Sequence, residues 1–562
     1  MLQPLYHREK HKQIKVIGRA VGVFCSLLAV NVILQTCNRA YLNDFGGHPD
    51  EASHVVTGLM VRDYLAGGFL ESANPLHYAE AYYEAYPKVA LGHYPPVFYA
   101  VTGVWLLFGV STASILFLAA ALTSFCGLLT FLLGSKFMGR GWALGGALLF
   151  TFTSLAQRYT SVFMSDMLLL AGCLLSAAAF IRFMDRGRGV DSLLFGVLAA
   201  ITVLTKSSGL LLGMVPIFAL FYACKVKTFR SRELWLAPIA VVLLTAPWLL
   251  ITYHITAEGA IDAGIGSYMS DAVPFFGAAM WIIFGPLLLI LVCGEILYCT
   301  INGAIFSRGV NDSEAVMIAL AFSGLAFYLV VPAGLEQRYL LVIVPAVMLL
   351  GLKAVQRICC WVTSISGLRG KSALITQLLM GITVVASIGM DRFEWQGKDA
   401  DGFREIIAAV TQMAMPGEDA LLVVSDARGE GAMIAASALA SNNRPKEGVR
   451  VHRGTKMLSS SDWLGRNYRS GFNTVAELRD YLTSGRMQFL ALDLGVPDHK
   501  RVGYHDLVGE VVADHAADFT EVGRFPTRRT GGIKADVVLY RLKATGARKR
   551  EKNEPWIIEG SP

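Results

Sequence analysis

The sequence predicts a polytopic α-helical membrane protein, with about 11–13 transmembrane helices and a small C-terminal α/β domain. Hydrophobic residues make up 54% of the chain and charged residues only 17%, and the mean hydropathy is +0.49. Long apolar runs follow one another to about residue 390, after which short strand and helix patterns alternate. The composition excludes an ordinary soluble enzyme. The net charge of +7 lies largely in short clusters between apolar runs, which indicates membrane orientation rather than nucleic-acid binding.

The first apolar run, residues 16–36, is predicted to be a signal anchor. A basic segment with His7, Arg8, Lys10, Lys12 and Lys15 precedes it, and the run is longer than the apolar core of a signal peptide and lacks a small-x-small cleavage site. The positive-inside rule then places the N-terminus in the cytoplasm and the C-terminal domain outside. The predicted location is therefore the inner (cytoplasmic) membrane, crossed many times.

The remaining apolar runs can be oriented by the basic clusters between them. Residues 97–134 are too long for one span, yet two full spans would invert all later loops, so a broken or partly inserted helix is predicted there. The other predicted spans lie near 141–157, 164–181, 190–206, 208–224, 234–251, 277–300, 315–332, 339–352 and 373–390. The predicted domains are a transmembrane domain (1–390) with its first outer loop at 38–96, an extracytoplasmic α/β domain (391–545) and a polar tail (546–562).

The α/β domain is predicted from alternating strand and helix patterns. Strands are expected at 420–426, 449–452, 487–494, 519–522 and 536–540, with helices across "GEGAMIAASALA" and "TVAELRDYLTSG". The turn "SDARGEG" could hold an anion at a helix N-terminus, but a single Gly-rich turn is weak evidence and a plain strand–helix connection is favoured. All nine cysteines lie in or beside the earlier apolar segments without zinc-ligand spacing, which favours core thiols.

The first outer loop carries two adjacent acids in "NDFGGHPDEASHVVTGLMVRDYL". Pro49 fits the first position of a helix, and Asp50 and Glu51 fall in its first turn. The apolar residues that follow have helical spacing, so a short amphipathic helix on the outer membrane surface is predicted. Acids are favoured at any helix start by the helix dipole, so the pair alone does not establish a site.

Other polar side chains reach the same membrane face in the predicted topology. Each has a simpler local explanation: a loop histidine, a helix cap, a lysine reaching the interface, or a Glu–Arg pair. Several ionisable groups converging at the membrane boundary nevertheless predict a functional site. They are His93 in "GHYPPVFY", Arg158 and Asp166 in "QRYTSVFMSD", Lys206 in "LTKSSG", and Glu336, Arg338 and Tyr339 in "GLEQRYLL".

The order of these motifs resembles the GT-C superfamily of membrane glycosyltransferases, in the branch of protein O-mannosyltransferases and lipid A aminoarabinose transferases. The resemblance covers roughly residues 1–390 and consists of "PDEA", "HYPPVFY", an Arg–Asp pair before a span, "LTK" and "EQRYLL". Three positions depart from many relatives: Tyr94 separates His93 from the Pro-Pro, Ser165 replaces a proline before Asp166, and Ser207 replaces a glycine after Lys206.

The resemblance implies transfer of a sugar from a polyprenyl-phosphate donor to a hydroxyl of a protein, lipid or polysaccharide acceptor, with inversion at C1. It makes Asp50 the catalytic base, while Glu51 would orient the acceptor or share the proton. The implied donor-phosphate site comprises Arg338, Tyr339, Lys206, Arg158, His93 and Asp166. No cofactor is required, although a divalent metal held by Asp50, His93 or Asp166 is compatible with this chemistry. Membrane lipids are expected partners; nucleic acid is not.

Two other classes of protein compete with this interpretation. A transporter would carry its ionisable residues near the middle of broken helices and would show internal repeats, and neither feature is clear in the sequence. An envelope assembly protein or receptor acting through its C-terminal domain would not need the membrane acids. Loss of function in Asp50→Asn, with normal insertion and abundance, would separate the enzyme from both.

Overall fold

The computed structural model describes residues 3–90, 92–258, 264–306, 309–366, 398–414, 420–441, 449–461, 467–529 and 531–543, with isolated positions between 370 and 382. The predicted span at 373–390 and the polar tail at 546–562 fall largely or wholly outside the described residues.

Helices dominate the first two thirds of the chain, as the apolar runs predict. Among the described residues, seven helices are long and apolar enough to cross a membrane, and three shorter apolar helices accompany them. The protein is therefore a multi-pass membrane protein. The helices are α1 (Gln3–Cys37), α2 (Glu51–Asp63), α3 (Phe69–Glu71), α4 (Pro75–Ala85), α5 (Val97–Leu106), α6 (Thr112–Gly134), α7 (Arg140–Phe152), α8 (Ser154–Ser161), α9 (Asp166–Arg186), α10 (Gly189–Val203), α11 (Val215–Tyr222), α12 (Leu236–Ile251), α13 (Tyr253–Glu258), α14 (Ile265–Phe306), α15 (Asp312–Val330) and α16 (Val344–Ile365).

The long apolar stretch at 97–134 is broken, as predicted. The ten-residue helix α5 ends at Leu106, and α6 begins at Thr112. Ser111 caps α6 by accepting a hydrogen bond from the backbone N–H of Ser114. The break lets a short helix and a full-length helix occupy the space that a single span could not.

Two 3₁₀ segments precede later helices and carry polar side chains at their starts. They cover Ser207–Gly213, directly after Lys206, and Gln337–Ile343, which contains Arg338 and leads into α16. Helix α9 likewise begins at Asp166. Since α6, α9, α15 and α16 are buried in one apolar core, these polar groups lie at one end of the most enclosed part of the helix bundle.

The C-terminal region forms the predicted α/β domain. Its five-stranded sheet has the order β2-β1-β5-β7-β6, in which β2, β1 and β5 are parallel and β7 and β6 are antiparallel. The strands are β1 (Ala420–Val424), β2 (Arg450–Arg453), β3 (Ser459–Ser460), β4 (Arg469–Ser470), β5 (Phe489–Asp493), β6 (Phe519–Arg529) and β7 (Ile533–Leu542). The helices are α17 (Phe403–Met413), α18 (Ala427–Ala440), α19 (Gly454–Met457), α20 (Val475–Leu482) and α21 (Gly503–Asp514). The sequence interpretation missed α17, α19, α21 and the small β3–β4 ribbon.

Helix α2 exists as predicted, but its apolar face is buried against other parts of the protein rather than open to lipid. Its apolar residues Val55, Val56 and Leu59 are fully buried, and so are His54 and Thr57 on its polar side. The helix packs against α5 on one side and α18 on another. The periodicity of α2 indicated one apolar face correctly, but it could not reveal that the C-terminal domain covers a second face.

Candidate active site

Asp50 lies at the N-terminus of α2 among three polar partners. The Tyr94 hydroxyl donates a hydrogen bond of 2.9 Å to Asp50 Oδ2. Arg338 Nη2 lies 3.4 Å from the same oxygen. The backbone N–H of Asp50 donates to His48 Nδ1 over 3.1 Å, so the loop before the helix and the helix start hold each other in place.

Arg338 and Glu336 connect this loop to the turn before α16. Glu336 pairs with Arg338, with an Nε–Oε2 distance of 2.7 Å and an Nη2–Oε1 distance of 3.0 Å. Glu336 Oε2 also lies 3.3 Å from His48 Nε2. The His48 ring therefore lies between the Asp50 backbone N–H and the Glu336 carboxylate. The sequence predicted the Glu336–Arg338 pair but not that it reaches Asp50.

The electrostatic setting keeps the Asp50 carboxylate ionised. Burial alone raises the pKa of Asp50, but His48, Arg338 and the Tyr94 hydroxyl favour the charged form more strongly and hold the pKa well below its usual range. Burial of Tyr94 beside Asp50 raises the pKa of the Tyr94 hydroxyl well above its usual value. Tyr94 therefore acts as a hydrogen-bond donor, and Asp50 as an acceptor, at neutral pH.

Lys206 and Asp166 form a second buried pair next to Arg338. The Lys206 ammonium donates to Asp166 Oδ1 over 2.8 Å, and both side chains are almost fully buried. Lys206 Nζ lies 5.0 Å and the Arg338 guanidinium carbon 5.5 Å from the centre of the Tyr339 ring. Both cations thus share one aromatic face, which stabilises positive charge. The Tyr339 hydroxyl donates to the Ala333 carbonyl over 2.7 Å.

Several buried polar atoms at this site have no hydrogen-bond partner among the described residues. They are Nη1 of Arg338, Oδ2 of Asp166 and Nε2 of His54. Burial lowers the pKa of His54 to about 3, so this imidazole is neutral, and its Nδ1 lies 3.1 Å from the Tyr99 hydroxyl. Buried polar atoms of native proteins are rarely left unsatisfied, so these unpartnered donors and acceptors are suited to a polar ligand.

Not every predicted residue reaches this cluster. Glu51 is fully buried, and its two oxygens accept from the backbone N–H groups of Gly47 and Phe163 and from the Lys398 ammonium. Arg158 is half-buried in α8 and makes no hydrogen bond or ion pair through its guanidinium in the described part of the chain. His93 is half-buried beside Tyr94, and it is Tyr94 that contacts Asp50.

The structure adds four residues that the sequence interpretation did not assign to the site: His48, His54, Tyr94 and Lys398. His48 and Tyr94 stand inside the quoted motifs "HPDE" and "HYPP", so their proximity to Asp50 was within reach of motif reasoning. His54 follows Asp50 by one helical turn and could have been placed beside it. Lys398 has no such signal, because its contact with Glu51 spans 347 residues.

The Asp50 cluster fits a divalent metal poorly. Arg338 already faces Asp50, and Lys206 already neutralises Asp166, so a dication would lie beside two buried positive charges. Across the described residues, one group brings three potential metal ligands within 4.8 Å of one another, namely Glu295, Cys299 and Glu314 in α14 and α15. There the Arg357 guanidinium bonds to both carboxylates, at 2.6 and 2.9 Å.

Comparisons with known proteins agree with the motif order. The family model for dolichyl-phosphate-mannose-protein mannosyltransferases matches residues 92–251, a range that includes Asp166 and Lys206 but not Asp50 or Arg338. A search of curated proteins found no match.

Three solved structures share the fold over most of this chain. ArnT from Cupriavidus metallidurans bound to undecaprenyl phosphate matches with a TM-score of 0.52 and 12% identity, over 92% of this chain and 98% of that one. The Archaeoglobus fulgidus oligosaccharyltransferase in complex with Zn and sulfate matches with a TM-score of 0.52 and 10% identity, over 92% of this chain and 72% of that one. The arabinofuranosyltransferase AftD from Mycobacteria matches with a TM-score of 0.50 and 13% identity, over 93% of this chain and 42% of that one. The chain therefore shares the fold of these three structures, as the motif resemblance to the GT-C superfamily predicts.

Proposed function

We propose that this protein is an inverting glycosyltransferase that moves a sugar from a polyprenyl-phosphate donor to an acceptor hydroxyl at the outer face of the cytoplasmic membrane. One observation carries the proposal: an ionised Asp50 carboxylate lies against Arg338, beside the Lys206–Asp166 pair, where the most buried helices begin. This arrangement provides a base and two cations at a membrane boundary. Those are the groups that the transfer needs.

The transfer uses these residues in one concerted displacement. The acceptor oxygen attacks C1 of the donor sugar from the side opposite the phosphate and gives its proton to Asp50. The bond from C1 to the phosphate oxygen breaks, and its electron pair stays on polyprenyl phosphate. Arg338 and Lys206 stabilise the additional negative charge on the leaving phosphate, Arg338 through its unpartnered Nη1 and Lys206 as a point charge.

Tyr339 supports the two cations through its ring. Its hydroxyl is engaged with the Ala333 carbonyl, so we assign it to positioning Arg338 and Lys206 rather than to direct contact with phosphate. The unpartnered Oδ2 of Asp166 and Nε2 of His54 are placed to bind hydroxyl groups of the sugar or the acceptor. Polar atoms of this kind fix the orientation of a polyhydroxylated substrate.

The distribution of basic residues supports the proposed outer location. Helix α9 begins at Asp166 in the site and ends in a basic segment at Arg182–Arg188, and α16 carries Arg357 far from its start. Basic clusters mark the cytoplasmic side of membrane helices, so the site lies on the opposite side together with the C-terminal domain. Three of the similar structures' names state activities of glycosyl transfer or binding of undecaprenyl phosphate, which supports a lipid-linked donor here.

The decisive experiment incubates the purified full-length protein in detergent or nanodiscs with a panel of radiolabelled polyprenyl phosphosugars and follows the release of polyprenyl phosphate. We expect one donor to be consumed by the wild type but not by Asp50→Asn. Release from no donor in the panel, or equal release by Asp50→Asn, would contradict the proposal. A transporter would instead move a solute across sealed vesicles without breaking a glycosidic bond.

A further inference from the structure

The C-terminal domain is attached to the loop that carries Asp50. Where this domain is first described, Ala400 accepts a hydrogen bond of 2.5 Å from the Asp44 N–H. The Asp44 carboxylate in turn accepts from the Phe403 N–H over 2.9 Å and from Arg404 Nε over 3.0 Å. Arg404 Nη2 also donates to the Asn43 carbonyl over 3.2 Å. These backbone and side-chain contacts hold one end of the loop.

Glu51 and Lys398 hold the other end. Their ion pair measures 2.7 Å, and both side chains are completely inaccessible to solvent. The Glu51 carboxylate also accepts from the Gly47 N–H over 2.8 Å and from the Phe163 N–H over 2.9 Å. Glu51 therefore joins the loop, the segment before α9 and the C-terminal domain at a single point, directly after Asp50.

The end of the sheet at which β1 leads into α18 lies against this loop. In open α/β sheets, ligands bind outside the carboxyl ends of the parallel strands. Helix α18 starts at that edge, directly after β1, and packs on α2. A Cβ atom added at Gly46 would lie only 3.3 Å from the Cβ atoms of Ala400 and Ala432, so the loop backbone fits closely against this end of the domain.

From these contacts we infer that the C-terminal α/β domain positions the catalytic loop, and that Glu51 and Lys398 are a positioning pair for Asp50. The inference rests on the proposed function for the role of Asp50 as base. Glu51 then takes no part in proton transfer, because both of its carboxylate oxygens already accept hydrogen bonds from donors within the protein. The domain thus belongs to the catalytic machinery of this chain rather than acting as an independent module.

The burial of the pair gives the inference a distinctive signature. Removing one partner of a buried ion pair leaves an uncompensated charge, whereas replacing both with neutral groups of similar size is often tolerated. Gln at position 51 keeps an oxygen for the Gly47 or Phe163 N–H, and Met at position 398 keeps the length of the side chain. The double variant Glu51→Gln/Lys398→Met should therefore be less damaged than either single variant.

The test measures two properties of the intact protein: hydrogen exchange of the backbone amides in residues 43–56 without substrate, and kcat and KM for the donor. We expect Lys398→Met to increase exchange in this segment and to lower kcat by ~10-fold or more with donor KM within about twofold, because a small misplacement of a catalytic group is costly. The double variant should recover part of both losses. Arg404→Ala, at a side chain that is about half exposed, should loosen the same segment more mildly.

Arg479→Met is the matched control, since the Arg479–Asp518 pair lies within the same domain at 2.8 Å and is not part of the contacts to the loop. It should leave exchange in residues 43–56 and kcat unchanged. Unchanged exchange in Lys398→Met, or a double variant no better than the worse single one, would overturn the inference. The exchange measurement needs no turnover, so it decides the positioning role even if no donor is consumed and the proposed function fails.

Discussion

Replacing Arg338 tests whether this residue binds the donor phosphate or only balances Glu336. Its guanidinium is 4% exposed, lies 2.7 Å from Glu336 and 3.4 Å from Asp50, and keeps one nitrogen unpartnered. A phosphate clamp needs that free nitrogen and the fixed planar geometry of the side chain. A simple ion pair needs only the positive charge.

The expected magnitude follows from these contacts. A hydrogen bond to a charged group contributes about 1.5–3 kcal/mol, which corresponds to roughly 10- to 150-fold in rate. Arg338→Lys keeps the charge but cannot hydrogen-bond Glu336 and the phosphate at the same time, so we expect the rate to fall about 10-fold. Arg338→Ala also leaves Asp50 and Glu336 without their shared cation, so we expect a loss of about 10²- to 10³-fold. Glu336 is partly exposed, and Glu336→Gln should stay within about threefold.

Release of polyprenyl phosphate, measured at saturating and at limiting donor, distinguishes the two roles. Arg524→Lys is a matched control, because Arg524 forms an exposed pair with Glu521 on the C-terminal domain and should not change either rate. Thermal unfolding of each variant checks that the fold is retained. Near wild-type rates for Arg338→Lys, with Glu336→Gln as impaired as Arg338→Ala, would refute the clamp and leave only an ion pair.

Three further predictions concern the base, its pH dependence and metal use. Asp50→Asn should lower kcat by ~10²- to 10⁴-fold while donor binding is retained. Single-turnover assays and donor-binding titrations measure the two quantities. Near-normal turnover would remove Asp50 from the site. The pKa of Asp50 is held below its usual range, so the carboxylate is lost as a base only when the pH falls through that lowered value. Arg338→Gln removes a cation and raises this pKa, so the acidic limb of the kcat/KM profile should move to higher pH. An acidic limb that does not move would contradict this. Dialysis against EDTA should leave activity unchanged, because Lys206 and Arg338 already neutralise Asp166 and Asp50; loss of activity that a divalent ion restores would show a metal requirement.

Local sequence signals were sufficient to predict the elements that place the site. Asp166 and Arg338 stand at helix or turn starts after polar motifs, and the apolar runs that follow them are long enough to be recognised from hydropathy alone. The strands of the C-terminal domain were likewise predicted, since β1 and β5 are short, continuous apolar runs bounded by polar turns. Elements whose ends coincide with a change of hydropathy are the easiest to predict.

The contacts between distant segments could not be predicted in this way. Lys398 lies in the polar stretch "WQGKDADG", which looks like an ordinary linker, and only the folded chain brings it to Glu51. The same limitation applies to Asp50 and Glu51, because adjacent acids at a helix start look equivalent in sequence. In the fold, Asp50 faces Arg338 while Glu51 points to Lys398 and the Phe163 N–H, because consecutive residues on a helix project in different directions.

The charges of the site suggest how donor binding and catalysis are coupled. Without substrate, the Asp50, Glu336 and Asp166 carboxylates surround two cations, Arg338 and Lys206. A donor phosphate that takes Arg338 draws this cation away from Asp50 and adds a negative charge nearby. Both changes raise the pKa of Asp50, and a base works best when its pKa approaches the working pH. Under the proposed function, Asp50 is a weak base while the site is empty and a stronger one once the donor is bound, so proton removal from the acceptor is favoured only when a sugar is in place to receive its oxygen.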